Sequence, residues 1–355
     1  MKTGSMPAGQ VQDVDYKVRS AKRERSASRT PHVFTYRRVV QRLARAGVES
    51  ALLDAACLLE AASGVPRWRF IVEPERVMAS GASDLLEAML SRREAREPIA
   101  YILGVKEFWS LSLSVSRGVL IPRPETETLV EAVLEKIRSR FTVHGSRFTV
   151  HSSQFTDPAS RSAPQSVNSE PTTQNPQLRI VDLGTGCGAI ALALAREVPH
   201  ARLYALDSSA DAVRIARRNA EALGLAGRVH CVRGDLFEPL RPIQGRGGFD
   251  LIVSNPPYIP SGQLAALPPE VLAYEPRRAL DGGADGLRVH RRIIEDAPAH
   301  LRAHGWLALE IGEGQAPSVM RLIDETEAFG PAEVKQDLSG RDRVVLAQRR
   351  PRPYG

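Results

Sequence analysis

From Leu178 onward, the chain alternates between short apolar runs and amphipathic stretches, and no other feature constrains its fold as strongly. Strand-like runs such as LRIVDLG, ARLYALD, VHCVRGD, FDLIVSN and WLALEIG alternate with helical stretches such as AIALALAREV, SADAVRIARRNAEALG and LRVHRRIIEDAPAHLRAHG. This alternation indicates an α/β fold, in which a parallel sheet carries helices on both faces. Because ligands of such sheets bind beyond the carboxyl ends of the strands, we expect the functional residues to follow the strand-like runs.

The first strand-like run ends in a glycine-rich loop, VDLGTGCGA, of the form D-x-G-x-G-x-G. Gly184, Gly186 and Gly188 let the main chain turn sharply and let a ligand approach backbone atoms. The spacing differs from the G-x-G-x-x-G of nicotinamide-binding loops, and no lysine or arginine in the loop offers a phosphate contact. A cofactor with cationic amine and sulfonium groups suits the carboxylate of Asp182 and the backbone carbonyls. The loop, including Thr185, is therefore expected to bind S-adenosyl-L-methionine.

Acidic residues follow the next two strand-like runs. Asp207 ends ARLYALD and is suited to accept hydrogen bonds from both hydroxyls of a ribose. Its alternative role is to cap the following helix, for which the next two serines compete. Asp235 ends the third run and is suited to accept from an adenine amino group, with Leu236 and Phe237 flanking the ring; the alternative is an ordinary loop carboxylate. Carboxylates on consecutive strand ends together favour a nucleoside pocket.

The fourth strand-like run ends in VSNPPYIP, which is a stiffened loop because each proline fixes φ and restricts the residue before it. An acceptor nitrogen of amide or aromatic-amine type is barely nucleophilic. It has to be held in line with the S–CH₃ bond while its N–H groups are bound. The Asn255 side-chain oxygen and the Pro256 carbonyl are the expected acceptors, stiffened by Pro257, and Tyr258 is expected to supply a flat wall. Catalysis of this kind consists of positioning and electrostatics.

The rest of the chain is predicted to fall into distinct segments. Three stretches near the N-terminus have helical periodicity, and LSLSVS alternates with period two, as in a β-hairpin. A tandem repeat, SRFTVHG-SRFTVHS-SQFTDPA, opens a polar insert. The predicted organisation is a disordered basic tail at 1–31, a helical domain at 32–99, a β-hairpin linker at 100–124, a methyltransferase domain at 125–349 that contains a disordered insert at 138–177, and a tail at 350–355. The helical domain is assigned to partner binding; the alternative is that it only supports the main fold.

Charge and cysteine usage argue against several function classes. The formal net charge is +7, but residues 1–31, 138–177 and 348–355 hold net +4, +2 and +3, which leaves the rest of the chain near −2. We therefore expect no nucleic-acid channel, and an aromatic content of 5% is low for base-stacking platforms. The three cysteines form no Cys-x-x-Cys pair, which argues against a metal site and suits the cytoplasm. No apolar run approaches the roughly 20 residues of a membrane span.

The motifs resemble those of the protein-(glutamine-N5) methyltransferases of the HemK/PrmC type, which act on class 1 peptide chain release factors. The resemblance covers about residues 34–349 without the insert, and it lies in EPIAYILG, EFWSLSLSVSRGVLIPRPETE, VDLGTGCGAIALALA, FDLIVSNPPYIP, YEPRRALDGGADGL and SGRDRVV. It implies a seven-stranded Rossmann-like class I methyltransferase domain whose last strand is antiparallel. A β-hairpin would join that domain to a small N-terminal helical domain.

The resemblance also implies the reaction and its residues. The reaction would methylate the glutamine of a Gly-Gly-Gln motif and leave S-adenosyl-L-homocysteine. Gly184, Asp207, Asp235 and Asn255 match cofactor-contact positions, and Asn255 and Pro256 match positions that bind the glutamine amide. We expect a cytoplasmic monomer. The alternatives are a ribosomal-protein glutamine methyltransferase, a DNA or RNA exocyclic-amine methyltransferase, a dinucleotide-binding oxidoreductase and a non-catalytic binding module.

Overall fold

The computed structural model describes residues 34–77, 80–142, 177–243 and 248–351. The predicted tail at 1–31, most of the predicted insert and residues 352–355 lie outside these ranges, so the expectations for them stay predictions. Within the described ranges, no helix combines the length and the apolarity needed to cross a membrane.

Between residues 34 and 98, the described part of the chain contains four α-helices, where the sequence pattern predicted three. They are α1 (Tyr36–Arg45), α2 (Ala51–Ser63), α3 (Arg67–Val72) and α4 (Ser83–Glu94). The helix missing from the prediction is α3, which has six residues and buries only Phe70, so it shows no apolar periodicity. The Thr35 side chain caps α1 by accepting from the Arg38 N–H, and Gly64 ends α2 in the left-handed conformation.

A separate apolar core holds these helices together. Its largest fully buried side chains are Leu43, Leu58, Leu59, Phe70, Leu86 and Leu90. An ion pair is buried beside this core, because Arg93 Nε donates to Asp54 Oδ2 at 2.7 Å. Loss of one partner of such a pair leaves an uncompensated buried charge, which costs roughly 3–5 kcal/mol.

The linker consists of α5 (Ile99–Leu103), β1 (Val105–Phe108) and β2 (Leu111–Ser114). The two strands form the predicted hairpin, with Phe108 paired to Leu111 next to the turn. Trp109 and Ser110 make the turn with φ of 51° and 55°, as a two-residue hairpin turn of this type requires. Neither residue type favours that conformation, and Trp109 is held in it by its backbone N–H, which donates to Glu127 Oε1 at 2.8 Å.

The large domain is built on a seven-stranded sheet in the order β10-β11-β9-β6-β3-β4-β5. Its strands are β3 (Arg179–Leu183), β4 (Arg202–Asp207), β5 (Val229–Arg233), β6 (Phe249–Ser254), β9 (Leu301–Glu310), β10 (Glu333–Gln336) and β11 (Asp342–Gln348). The neighbouring pairs from β5 to β9 are parallel, whereas β11 is antiparallel to both β9 and β10. The predicted fold class, with its antiparallel last strand, is confirmed.

Helices cover both faces of this sheet. They are α6 (Glu127–Thr142), α7 (Ala189–Glu197), α8 (Ala210–Ala222), α10 (Arg288–His300) and α11 (Ala316–Glu325). The domain also contains a short helix, α9 (Pro269–Tyr274), and a small parallel pair of strands, β7 (Ile259–Pro260) and β8 (Asp281–Gly283). Side chains alternate along β3, so that Ile180 joins the core under α6, α7 and α8 while Val181 joins the core under α10 and α11.

Two element boundaries differ from the prediction. Helix α6 continues to Thr142, five residues into the segment predicted as a disordered insert from residue 138. Helix α10 ends at His300, where the pattern predicted helix as far as Gly305, and β9 begins at Leu301. The reason is tertiary: Leu301 pairs with Phe249 of β6, and this pairing extends the sheet over residues whose local pattern suits a helix.

The N-terminal helices and the large domain meet at α9. Arg96 Nε donates to Glu270 Oε1 at 2.6 Å, and the Tyr274 hydroxyl donates to the Ala95 carbonyl at 2.6 Å. The hairpin is fixed separately, because the buried Asn219 side chain of α8 accepts from the Ser114 N–H and donates to the Ser114 carbonyl. The first connection joins the helical domain to α9, and the second joins the hairpin to α8.

Candidate active site

A cleft opens at the carboxyl ends of β3, β4, β5 and β6, where the predicted functional residues gather. Together with the open solvent at its mouth, it holds about 850 Å³ of space that no atom fills. Its lining comes from the glycine loop, from the ends of β4, β5 and β6, and from two segments that lie over the opening, residues 118–120 and 276–279. The chain order reverses here, since β3 lies between β4 and β6, and such switch points are where open α/β sheets bind ligands.

The glycine loop adopts a conformation that only glycine takes readily. Gly184, Gly186 and Gly188 have φ of 73°, 58° and 89°. Gly184 and Gly186 line the cleft, and no atom lies within 4 Å of where their Cβ atoms would be. At Gly188 a Cβ would lie 3.0 Å from Leu192 Cδ1, so this glycine serves the packing of α7 instead.

Asp182 lies behind this loop and is fully buried. Its Oδ2 accepts from the Thr185 hydroxyl at 2.6 Å and from the Ala191 N–H at 3.2 Å, while burial raises the pKa of this carboxyl to about 7. Neither Asp182 nor Thr185 is among the residues that line the cleft. Asp182 therefore acts on the shape of the loop, and a direct contact with a cofactor stays a prediction.

Asp207 does line the cleft, at the end of β4. Its Oδ2 accepts from the Gly186 N–H at 2.9 Å, and its Oδ1 accepts from the Ser209 N–H at 2.8 Å. The cap of α8 is Ser209, whose hydroxyl accepts from the Ala212 N–H, so the capping alternative for Asp207 is wrong. A carboxylate has about four acceptor positions, and two of those of Asp207 remain for a ligand.

The end of β5 supplies one polar and one apolar side chain to the cleft. Asp235 and Leu236 both line it, and Asp235 Oδ2 accepts from Arg292 at 2.6 Å. The expectation for Phe237 is wrong, because this ring is buried in the core and stacks on His300 with 4.4 Å between the ring centroids. Val289 of α10 lines the cleft instead, a residue that no local motif marks.

The loop after β6 brings Asn255, Pro256 and Pro257 to the cleft. Tyr258 is not in that lining; burial raises the pKa of its hydroxyl to about 12. Its backbone carbonyl accepts from Gln315 Nε2 at 2.9 Å, which anchors the end of the loop. The flat wall expected of Tyr258 stays a prediction.

The Asn255 amide is oriented by residues that the sequence motifs did not reveal. Its Nδ2 donates to the Thr126 hydroxyl oxygen at 3.1 Å. Next to both lies the carboxyl of Glu310, which ends β9 and is 1% exposed. Thr126 lies within LIPRPETE, and Glu310 ends the strand-like run WLALEIG. Neither stretch of sequence predicts that its residue lies next to Asn255.

The two segments over the cleft are tied to each other. Glu275 accepts from the Ile121 N–H at 3.2 Å and forms an ion pair with Arg123, and its side chain is almost fully buried. On the far side, Arg278 donates to the Ser209 hydroxyl at the cap of α8. The blocks LIPRPETE and YEPRRALDGG, which are far apart in the chain, therefore close over the cleft together.

Comparison with known proteins gives the family. A family model of the PrmC N-terminal domain matches residues 35–104, and a model of the methyltransferase small domain matches residues 142–269. The release factor glutamine methyltransferase of Geobacter sulfurreducens is 40% identical over 319 residues, which cover 89% of this chain and 97% of that protein. That of Moorella thermoacetica is 40% identical over 88% of this chain and 96% of its own length.

The chain belongs to the release factor glutamine methyltransferase family. The relative from Rhodospirillum rubrum, which is 41% identical over 87% of this chain and 82% of its own length, carries the same name. Membership of this methyltransferase family excludes the oxidoreductase and the non-catalytic binding module as alternatives. In this chain, the matched N-terminal domain contains α1 to α5, and the large domain contains the cleft.

Proposed function

We propose that the protein transfers a methyl group from S-adenosyl-L-methionine to the side-chain amide nitrogen of the glutamine in the Gly-Gly-Gln motif of class 1 release factors. The observation that carries the proposal is the orientation of Asn255 at the cleft. Its donor end is bound by Thr126, so its acceptor oxygen is left for an N–H group of the substrate. An uncharged acceptor suits an uncharged amide.

The cleft fits the proposed cofactor. Asp207 keeps acceptor positions for ribose hydroxyls, and Asp235, which lines the cleft and pairs with Arg292, is proposed to accept from an amino group of adenine. Leu206, Leu236 and Val289 supply apolar surface for the ring. At Gly184 and Gly186 the open space beside the main chain lets a ligand contact backbone atoms. When bound, S-adenosyl-L-methionine supplies an electrophilic methyl group on a cationic sulfur.

The residues after β6 do the work of positioning. An amide nitrogen shares its lone pair with the carbonyl, and it becomes nucleophilic toward carbon only when the lone pair is turned out of conjugation. The Asn255 oxygen and the Pro256 carbonyl would accept its two N–H groups and hold that geometry. No side chain has to remove a proton beforehand, because nitrogen becomes acidic only after it has bonded to the methyl carbon. Oriented acceptors and electrostatics supply the catalysis.

The helical domain at 32–99 is proposed to hold the rest of the partner. Its neighbouring helices α2 and α3 expose large apolar side chains, and exposed apolar patches mark sites of protein interaction; the side chains are Leu52, Leu53, Trp68, Ile71 and Val72. Contacts with a release factor far from the glutamine would contribute binding energy that orders the reacting groups. We propose that the enzyme acts as a monomer in the cytoplasm.

A direct test is to incubate the full chain with S-adenosyl-L-methionine and, separately, a class 1 release factor, ribosomal protein, DNA and RNA. Mass spectrometry should find one added methyl group on the glutamine of the release factor motif. A release factor in which that glutamine is replaced by glutamate is the matched control and should stay unmodified. Methyl transfer to a ribosomal protein or to nucleic acid, with the release factor unmodified, would contradict the proposal.

A further inference from the structure

Glu310 is a buried carboxyl next to Asn255, and the proposed reaction does not use it. It is the last residue of β9, and the residue before it, Leu309, pairs with Ser254, the residue before Asn255. Its side chain is 1% exposed, and its Oε2 atom has no hydrogen-bond partner among the described residues. A buried carboxyl without full pairing destabilises a fold, so such a group at an active site points to a role in function.

The charged neighbours of Glu310 do not neutralise it by direct pairing. The charge of Arg343 on β11 lowers the pKa of the carboxyl, but this guanidinium bonds Asp337 at 3.0 Å. Glu125, in the turn before α6, acts in the opposite direction. His290 of α10 hydrogen-bonds the backbone carbonyl of Glu310 at 2.9 Å. Burial lowers the pKa of this histidine to about 4, so it is neutral at physiological pH.

The groups that do approach the Glu310 carboxyl are the Thr126 hydroxyl and the Asn255 amide, and both favour its ionised form. A threonine hydroxyl has one proton to donate and lone pairs to accept with. When it accepts from Asn255 Nδ2, its own proton is free to point at Glu310. An ionised carboxyl can only accept hydrogen bonds. It therefore permits one arrangement, in which the Thr126 hydroxyl donates to Glu310 and accepts from Asn255 Nδ2.

That direction decides which end of the Asn255 amide meets the substrate. The two ends differ only in carrying nitrogen or oxygen, and their placement follows from the hydrogen bonds around them. With Nδ2 held on the Thr126 side at 3.1 Å, Oδ1 is presented as an acceptor. The reversed amide would offer N–H groups to a glutamine nitrogen that also carries N–H groups, and no bond would form.

We propose that Glu310, acting through Thr126, is a positioning residue that fixes the orientation of the Asn255 side chain for methyl transfer. This inference rests on the proposed function. It assigns to Glu310 no contact with the substrate and no proton transfer. The ionised carboxyl excludes the unproductive direction of the amide, and a protonated carboxyl, which can also donate, does not.

The role has a pH signature. Burial, the larger effect, raises the pKa of Glu310 to about 7, so the carboxyl changes charge close to neutrality. Turnover should therefore rise with pH through about 7 as the ionised form appears. Asp182 also has a pKa raised to about 7 by burial, but it lies behind the glycine loop. Measurement at saturating cofactor, with Asp182→Asn as the matched control, separates the two.

The test compares Glu310→Gln and Thr126→Val with Thr126→Ser, which keeps the hydroxyl. Glu310→Gln keeps the shape but removes the charge, and Thr126→Val keeps the shape but removes the hydroxyl. For both we expect kcat to fall roughly 10–100-fold, by analogy with the loss of the hydrogen-bond partner that orients a metal ligand. KM for the release factor and the Kd of the cofactor should change little, and Thr126→Ser should stay near the native kcat. In Glu310→Gln the rise with pH should disappear, whereas Asp182→Asn should keep it.

A second readout does not depend on activity. In the native chain, the ¹⁵N and ¹H shifts of the Asn255 side-chain amide, identified by their absence in Asn255→Ala, should follow a titration near pH 7 that is missing in Glu310→Gln. A native kcat and pH profile in Glu310→Gln, or an Asn255 amide that does not titrate in the native chain, would overturn the positioning role. A native chain that leaves the release factor unmodified would overturn the proposed function, and the amide titration would still decide the role of Glu310.

Discussion

The two halves of the cleft are held in place in different ways. In the cofactor half, Asp207 bonds the N–H groups of Gly186 and Ser209, which lie 21 and 2 residues away in the chain. In the acceptor half, Asn255 bonds Thr126 across 129 residues, and Tyr258 is anchored by Gln315 across 57. The first half is organised by main-chain groups of adjacent strands, the second by side chains that only the folded domain brings together.

This difference predicts that the halves fail differently when they are damaged. Changes in the cofactor half should weaken cofactor binding, because its carboxylates are proposed to bind the cofactor in addition to their backbone contacts. Changes in the acceptor half should slow turnover at unchanged cofactor affinity, because its groups orient a substrate that meets them only during the reaction. Single substitutions in each half test whether cofactor binding and turnover fail separately.

The largest effect is expected for Asn255→Ala. It removes one oriented acceptor, so kcat should fall on the order of 10²–10³-fold, by analogy with the loss of one oriented hydrogen-bonding group in an active site. Cofactor affinity, measured by calorimetry, should change much less. Asn255→Asp should also be poor, because the added charge favours the cationic sulfonium of the ground state. A loss of cofactor affinity as large as the loss of kcat would erase the distinction between the halves.

Asp207→Ala should show the reverse pattern. Hydrogen bonds to a charged group contribute roughly 1.5–3 kcal/mol, so the Kd of S-adenosyl-L-methionine should rise about 10–100-fold. At saturating cofactor, kcat should stay close to native. Asp207→Asn keeps one acceptor oxygen and should have an intermediate Kd. Unchanged affinity in calorimetry would mean that Asp207 only ties the glycine loop to α8.

Asp182 tests the interior of the cofactor half through stability. Burial raises the pKa of this carboxyl from its ordinary value to about 7 in the folded chain. Its contribution is then fully present below the unfolded pKa, near 4, and is lost as pH rises through about 7. Relative to Asp182→Asn, the native chain should lose about 1–3 kcal/mol of unfolding free energy between pH 4 and pH 8. Urea denaturation at both pH values measures this, and equal pH slopes in the two chains would contradict it.

The smallest effect is expected for the insert. Replacement of residues 143–176 by a short Gly/Ser linker should leave cofactor affinity and kcat within a few-fold of native, since loop length costs only about 0.6 kcal/mol per doubling. The segment now begins after α6, which ends at Thr142. Loss of folding or of activity in this deletion would show that one half of the cleft depends on it.

The pattern of residues along the chain was enough to predict the fold class and to mark the strand ends that line one side of the cleft. Strand–helix alternation indicated the parallel sheet. Three glycines in one loop indicated a sharp turn, and in the structure all three have positive φ values. Asp207 and Asp235 were found for a simple reason: the carboxyl ends of parallel strands meet at one edge of the sheet. These signals are local, so a pattern along the chain reports them.

What surrounds Asn255 and what closes the cleft depend on tertiary packing. Thr126 and Glu310 come from a turn and a strand that the local pattern does not connect with residue 255, and Val289 replaced Phe237 in the lining because packing turned that ring into the core. Strand β9 likewise begins at Leu301 because β6 pairs with it there. Side-chain contacts between distant segments depend on how helices and strands pack, and that information lies in the folded arrangement, not in any short stretch of residues.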